Sequence, residues 1–165
     1  MLNKYVTYLR SPIGQIKITG DETSVNSVIF VFNDTEMEEE NNNSVITQCK
    51  KELLEYFAGK RKEFNIPIKQ IGTEFQQKVW NELLKIPYGK TVSYNFIAES
   101  LGDKKTIRAV GSANGKNPIS IIIPCHRVIG SDGSLTGYGG GLWRKKWLLN
   151  HEKEFSGGET QMEMF

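Results

Sequence analysis

The spacing of apolar residues changes partway along the chain, and this change limits the fold more than any other feature. From Lys4 to Leu9 and from Gly14 to Thr19, apolar and polar residues alternate, with Ser11-Pro12 as turn formers between them. Ser27 to Phe32 (Ser-Val-Ile-Phe-Val-Phe) is more continuously apolar, the pattern of a strand covered on both faces. After a polar loop over 33–44, rich in Glu and Asn, Ile46, Cys49, Leu53 and Phe57 recur at helical spacing. The spacing predicts a helix over 45–58, which Gly59 is placed to end. Residues 60–72 read as a junction.

Beyond it the helical period takes over. Thr73 and Gln76 match a capping box, and Phe75, Val79, Trp80, Leu83 and Leu84 form the stripe of a helix that Pro87 and Gly89 stop. Ser93 can cap a short helix bearing Ile97, Ala98 and Leu101, closed by Gly102. A second short helix with Ile107, Ala109, Val110 and Ala113 runs to Asn114-Gly115, so the pair reads as a helix-turn-helix. The expected class is α/β in the broad sense, α+β more narrowly. A small antiparallel sheet-plus-helix domain over 1–70 precedes a helical domain over 72–155 with a winged-helix-like helix-turn-helix. Residues 156–165 read as a flexible tail.

Composition narrows the class. At 165 residues a chain can bury a core without a disulfide or metal staple, and 38% hydrophobic with 24% charged residues is ordinary for a globular protein. No stretch approaches the roughly 18 apolar residues of a membrane span, and the first residues lack the apolar block of a signal peptide. Two cysteines build no disulfide framework, so the expected compartment is the cytoplasm. Charge is uneven: between Lys78 and Arg127 eight basic residues face only Glu82, Glu99 and Asp103. That asymmetry suits either a polyanion-binding half or a solvated basic face. Lys104, Lys105 and Arg108 lead into the second helix, where helix-turn-helix proteins contact DNA.

The chemistry concentrates in Ile121-Ile122-Ile123-Pro124-Cys125-His126-Arg127-Val128-Ile129. Three isoleucines read as a strand that proline interrupts, leaving a thiol at a strand end or turn. A lone cysteine is commonly a buried structural residue, but adjacent His126 and Arg127 favour a reactive thiolate. Other cysteine chemistries fit poorly. A zinc deaminase needs Pro-Cys-x-x-Cys, and position 128 is Val. No Cys-x-x-Cys occurs for zinc or a redox dithiol, and a thiol hydrolase would have to recruit His151.

Asn117-Pro118 followed by Ile-Pro-Cys-His-Arg-Val (Ile123 to Val128) resembles the active-site signature of the O6-alkylguanine-DNA alkyltransferases, the methylated-DNA–protein-cysteine methyltransferases. Tyr88-Gly89-Lys90-Thr91-Val92-Ser93-Tyr94, Arg108-Ala109-Val110-Gly111, Tyr138-Gly139-Gly140-Gly141-Leu142 and Trp147-Leu148-Leu149-Asn150-His151-Glu152 follow in the family's order and spacing. The resemblance covers residues 72–153 and is looser before them.

The resemblance implies direct-reversal DNA repair, in which Cys125 takes the alkyl group of O6-alkylguanine irreversibly. O4-alkylthymine is a conceivable second substrate. His126 would act on Cys125 through a local turn or a water, oriented by Glu152, and Asn117 would brace the network. Tyr94 would help rotate the nucleotide and hydrogen-bond the leaving guanine, and Arg108 would fill the vacated stack. Ala109, Gly111, Ser112, Ala113 and Asn114 would complete a helix lying against DNA, while Val128, Tyr138 and Gly139 would wall the base pocket. His151 has no role in the family pattern and reads as packing or surface. The implied partner is double-stranded DNA containing O6-alkylguanine, bound by a monomer without cofactor or membrane. Family members with an N-terminal zinc use Cys and His ligands, and residues 1–70 hold one Cys and no His, so no metal is expected. The rival reading is a non-catalytic alkylated-DNA binder or transcriptional regulator, which would replace the cysteine.

Overall fold

The computed structural model describes residues 3–33, 37–102 and 107–157. It divides into two compact units: Met1–Ile71 with Pro118–Ser120, and Gly72–Asn117 with Ile121–Phe165. The fold is mixed α+β. Among the described residues no helix is long and apolar enough to cross a membrane.

In the first unit β1 (Tyr5–Ser11), β2 (Gly14–Gly20) and β3 (Val25–Phe30) form an antiparallel meander in sequence order. Asp21 shapes the β2–β3 turn by accepting from the amides of Thr23 and Ser24, each at 2.9 Å. Helix α1 (Ser44–Phe57) packs on the sheet, with Asn43 Oδ1 accepting from Ile46 N at 3.0 Å as its N-cap. Its buried face is Ile46, Cys49, Glu52, Leu53 and Tyr56. Tyr56 thus takes the core position expected for Phe57, because its ring lies one step closer to the centre of the stripe. Buried Glu52 is held by Gln48 Nε2 at 2.9 Å and by the amide of Asn65 at 2.8 Å.

Strand β3 departs from the expectation of two covered faces. Val25, Val28 and Phe30 point inward, while Ile29 is 42% exposed and Phe32, beyond the strand end, is 73% exposed. One helix covers one face of this sheet, so alternation survives in a segment whose composition hides it. The free edge of β3 is paired by Pro118–Ser120, with Val28 N donating to Pro118 O at 2.9 Å and Ser120 N donating to Val28 O at 3.0 Å.

The second unit contains α2 (Glu74–Leu83), β4 (Val92–Ser93), α3 (Tyr94–Ser100), α4 (Ile107–Gly115), a one-turn 3-10 helix (Cys125–Arg127), β5 (Val128–Ile129) and α5 (Leu142–Glu154). The capping box forms: Thr73 Oγ1 accepts from Gln76 N at 3.1 Å and Gln76 Oε1 from Thr73 N at 2.9 Å. Trp80, buried on α2, donates its indole N–H to Ala113 O at 2.9 Å and so fastens the last turn of α4. A side chain at Gly72 would sit 2.4 Å from the Trp80 ring, which explains the glycine there. Ser93 ends β4 and caps α3 by accepting from Phe96 N at 2.9 Å, and Gly102 with φ +88° follows α3. Strands β4 and β5 pair in parallel, Val92 with Val128 and Ser93 with Ile129. Lys104 and Lys105, and residues 158–165 of the expected tail, lie outside the described residues.

Candidate active site

Residues 121 and 122 form a turn, and not the strand that the three isoleucines suggest. Ile121 has φ +73°, a conformation that a β-branched residue adopts only when its surroundings enforce it. Ile121, Ile122 and Ile123 are buried, so the apolar run reflects depth and not pleat. Pro124 (φ −81°, ψ +62°) then makes a tight reversal, with Cys125 N donating to Ile123 O at 2.8 Å. The 3-10 turn fans successive side chains about 120° apart, which sends Cys125, His126 and Arg127 in three directions. All three are buried, and the thiol expected at an exposed strand end has only 4% of its surface exposed.

Two asparagines hold the turn. Asn117 Nδ2 donates to Ile123 O at 2.7 Å, and its side chain also hydrogen-bonds the Cys125 thiol. Asn114 Nδ2 donates to Cys125 O at 3.3 Å. Burial pushes the Cys125 thiol up, while Asn117 and the Lys145 charge pull it back without cancelling the rise. The free protein therefore presents a thiol that must be deprotonated for reaction, and the neighbours His126 and Arg127 do not make it a resting thiolate.

Arg127 turns away from the sulfur. Its Nε and Nη2 lie 2.8 and 3.0 Å from Glu152 Oε1 and Oε2, and its Nη1 donates to Ile86 O at 2.6 Å. Glu152, on the buried face of α5, also accepts from Gly89 N at 3.2 Å and lies 2.7 Å from His126 Nε2. Burial alone would raise the Glu152 carboxyl, but His126 and Arg127 outweigh it and hold the group well below the usual carboxylate range. By its sequence position alone Glu152 is a solvated acid near a helix end; in the structure it is fully buried and ionised. Burial drives His126 toward neutrality against the pull of Glu152. An ionised Glu152 fixes the tautomer, with Nε2–H donating and the lone pair on Nδ1. His126 Nδ1 has no hydrogen-bond partner among the described residues, so it is available to take a proton.

Tyr94, the first residue of α3, donates its hydroxyl to Thr136 O at 3.0 Å. Burial pushes its phenol up, keeping it a neutral donor. The same carbonyl accepts from Lys145 Nζ at 2.7 Å, and that ammonium lies 3.4 Å from the Tyr94 hydroxyl. No sequence motif marks Lys145. Its signal is positional: Lys145 shares the face of α5 with Leu148, Leu149 and Glu152, and a lysine on an apolar face needs a reason.

On α4, Arg108, Ala109 and Ser112 are exposed and Gly111 is half-buried. Ala113 and Asn114, expected against DNA, face the interior instead, because they lie on the side of α4 that packs on α2 and the cysteine turn. Val128 is buried, Tyr138 half-buried and Gly139 exposed. Gly139 has room for a side chain, since a Cβ would meet nothing closer than Gly115 O at 3.6 Å. Gly137 and Gly141 have positive φ, which explains the glycines of this loop. His151 is packing: it stacks on Trp147 at 4.7 Å and meets Phe155 at 4.8 Å. Among the described residues no group of three or more His, Cys, Asp or Glu is placed to hold a metal ion.

A buried thiol, a neutral imidazole with a free nitrogen and an ionised carboxylate behind it define a nucleophile–base–orienter site. Residues 74–154 match the 6-O-methylguanine DNA methyltransferase DNA-binding domain, and residues 4–70 match the ribonuclease-like domain of the same enzymes. The chain is 45% identical over 152 residues to the methylated-DNA–protein-cysteine methyltransferase of Methanosarcina acetivorans, covering 90% of this chain and 97% of that one. It is 42% identical over 160 residues to the constitutive enzyme of Bacillus subtilis, covering 90% and 95%. The crystal structure of Mycobacterium tuberculosis O6-methylguanine methyltransferase superposes with a TM-score of 0.84 at 40% identity, covering 95% of this chain and 97% of that one. A structure of the M. tuberculosis protein in complex with DNA superposes with a TM-score of 0.82 at 43% identity, covering 90% and 92%. The chain belongs to the 6-O-methylguanine DNA methyltransferase family.

Proposed function

We propose that the protein repairs DNA by direct reversal, moving the alkyl group of O6-alkylguanine in a duplex irreversibly to its own Cys125. The observation that carries this reading is the buried Cys125 turn joined to a neutral His126 whose Nε2 is tied to an ionised Glu152. The Sγ–H proton passes to His126 Nδ1, through a water as in the family pattern, and Glu152 stabilises the imidazolium that results. Sγ attacks the alkyl carbon, the carbon–O6 bond breaks, and its electron pair leaves on the guanine. Tyr94 turns its hydroxyl from Thr136 O to the base and offsets the charge developing there. The product thioether has no route back to the thiol, so one protein repairs one base.

A thiol this buried cannot reach a stacked base, so the nucleotide must leave the helix. DNA is the partner. Exposed Arg108, Ala109 and Ser112 on α4 form the surface laid against it, with Arg108 entering the vacated position and the protein acting as a monomer. Val128, Tyr138 and Gly139 line the side on which the base is received. The protein works in the cytoplasm, where the acceptor thiol stays reduced. Mass spectrometry after incubation with a duplex containing O6-methylguanine should find one added methyl group, on the Cys125 peptide, and none in Cys125→Ser. A methyl group on Cys49, or several bases repaired per protein, would contradict the reading.

A further inference from the structure

Among the described residues Lys145 is the one lysine that is fully buried, and its hydrogen-bond partners are neutral. Nζ donates to Thr136 O at 2.7 Å, reaches the Tyr94 hydroxyl at 3.4 Å and lies 5.7 Å from the centre of the Tyr94 ring. The carboxylate on the same helix face, Glu152, has both oxygens occupied by His126, Arg127 and Gly89. A buried cation without an anion is costly. The ionisable groups in electrostatic reach of Nζ are Cys125 and His126 on the 3-10 turn and Tyr94 on α3. His126 and Tyr94 stay neutral in the free protein, so Cys125 is the group that can become the missing anion.

We propose that Lys145 is the counter-cation of the Cys125 thiolate, its ammonium held by Thr136 O and Tyr94 on the helix that packs against the 3-10 turn. The Sγ–H bond breaks and a bond to His126 Nδ1 forms; the electron pair stays on sulfur, and Nζ keeps its own protons throughout. Transfer of the alkyl group then neutralises the sulfur. The arrangement also explains the shared carbonyl: when Tyr94 releases Thr136 O to meet a base, Lys145 retains it and stays in place. Desolvation outweighs the pull of the Cys125 charge and leaves the Lys145 ammonium lowered to about 8, so the cation is still present at neutral pH, where the thiolate forms. This inference rests on Cys125 as the acceptor.

The test is the thiol's own titration, which needs no alkylated base. Thiolate absorbance is followed against pH, with Cys125→Ser as the blank; Cys49, pushed up to about 12 by burial, stays silent across the range used. Lys145→Met should raise the Cys125 titration by about one pH unit or more, leaving about tenfold less thiolate at neutral pH. Alkylation of Cys125 by iodoacetamide should slow by the same factor, and Lys145→Arg should restore part of it. A merely structural lysine would leave the titration where it is in a folded variant, and that result overturns the proposal. If Lys145→Met does not fold, the reciprocal change supplies the measurement. NMR titration of the Lys145 Cε should move to higher pH in Cys125→Asp, which places a lasting anion where the thiolate forms, and an unmoved titration overturns the proposal equally. Failure to repair DNA with the titration shift intact would indict the proposed function and leave the ion pair standing.

Discussion

Replacing Glu152 by Gln removes one buried charge and keeps the shape, so its cost can be worked from the bonds it breaks. The carboxylate accepts from Arg127 Nε at 2.8 Å, Arg127 Nη2 at 3.0 Å, His126 Nε2 at 2.7 Å and Gly89 N at 3.2 Å. An amide has one acceptor oxygen. If that oxygen keeps Arg127 Nε and Gly89 N, the amide nitrogen faces two donors, Arg127 Nη2 and His126 Nε2–H. Hydrogen bonds to charged groups are worth about 1.5–3 kcal/mol each, and breaking a buried pair by removing one partner costs about 3–5 kcal/mol. For a protein of this size that lowers Tm by roughly 6–20 °C. Because the Glu152 carboxyl is held low in the fold, its stabilisation is complete above the unfolded pKa and is lost as pH falls through the folded value. Thermal melts should therefore show the full gap between wild type and Glu152→Gln at pH 7 and a narrowing gap below about pH 4. The variant should also transfer alkyl groups slowly, since the His126 tautomer is no longer fixed. A Tm within about 2 °C of wild type at pH 7, well short of the smallest loss these broken bonds imply, would refute the buried ion cluster.

Arg108→Ala should impair repair in a duplex while sparing reaction with free O6-benzylguanine, because extruding a base costs a few kcal/mol that a free base never incurs; equal losses on both would move Arg108 to a structural role. Tyr94→Phe removes the hydroxyl that bonds Thr136 O at 3.0 Å, and should slow transfer even from the free base; an unchanged rate would exclude Tyr94 from the chemical step. Thr73→Ala breaks the capping box of α2 and should cost about 1 kcal/mol by urea unfolding with no change in alkyl transfer at saturating DNA. A cost near zero would show that the Trp80 packing alone holds the helix.

Local physics was readable in the sequence where it decided the outcome. Thr73 and Gln76 cap α2 through side chains three residues apart, and Ser93 and Gly102 bracket α3 in the same way. Elsewhere composition misled, because a buried apolar residue satisfies strand, helix and turn alike. Ser27 to Phe32 looked covered on both faces, yet only the positions facing α1 are. Three isoleucines looked like a strand, yet the turn that begins with Ile121 at φ +73° presents the cysteine. Asn114 and Ala113 looked like a DNA surface because helix phase depends on which side of α4 meets α2, and sequence gives the period without the phase.

The sequence by itself determined the two-part organisation, the helix caps and the juxtaposition of Cys125 with His126, since each depends on residues within a few positions of one another. It also marked Glu152, Asn117, Tyr94 and Arg108 through their resemblance to a family pattern, without supplying their surroundings. Only the tertiary structure decided that Arg127 serves Glu152 and not the thiol, that His126 turns Nε2 to the carboxylate and leaves Nδ1 free, and that Lys145 lies buried beside Tyr94 and Thr136. The physical reason is desolvation. Burial sets whether an acid, an imidazole or a lysine keeps its charge, and burial is a sum over neighbours that the chain brings together from distant positions.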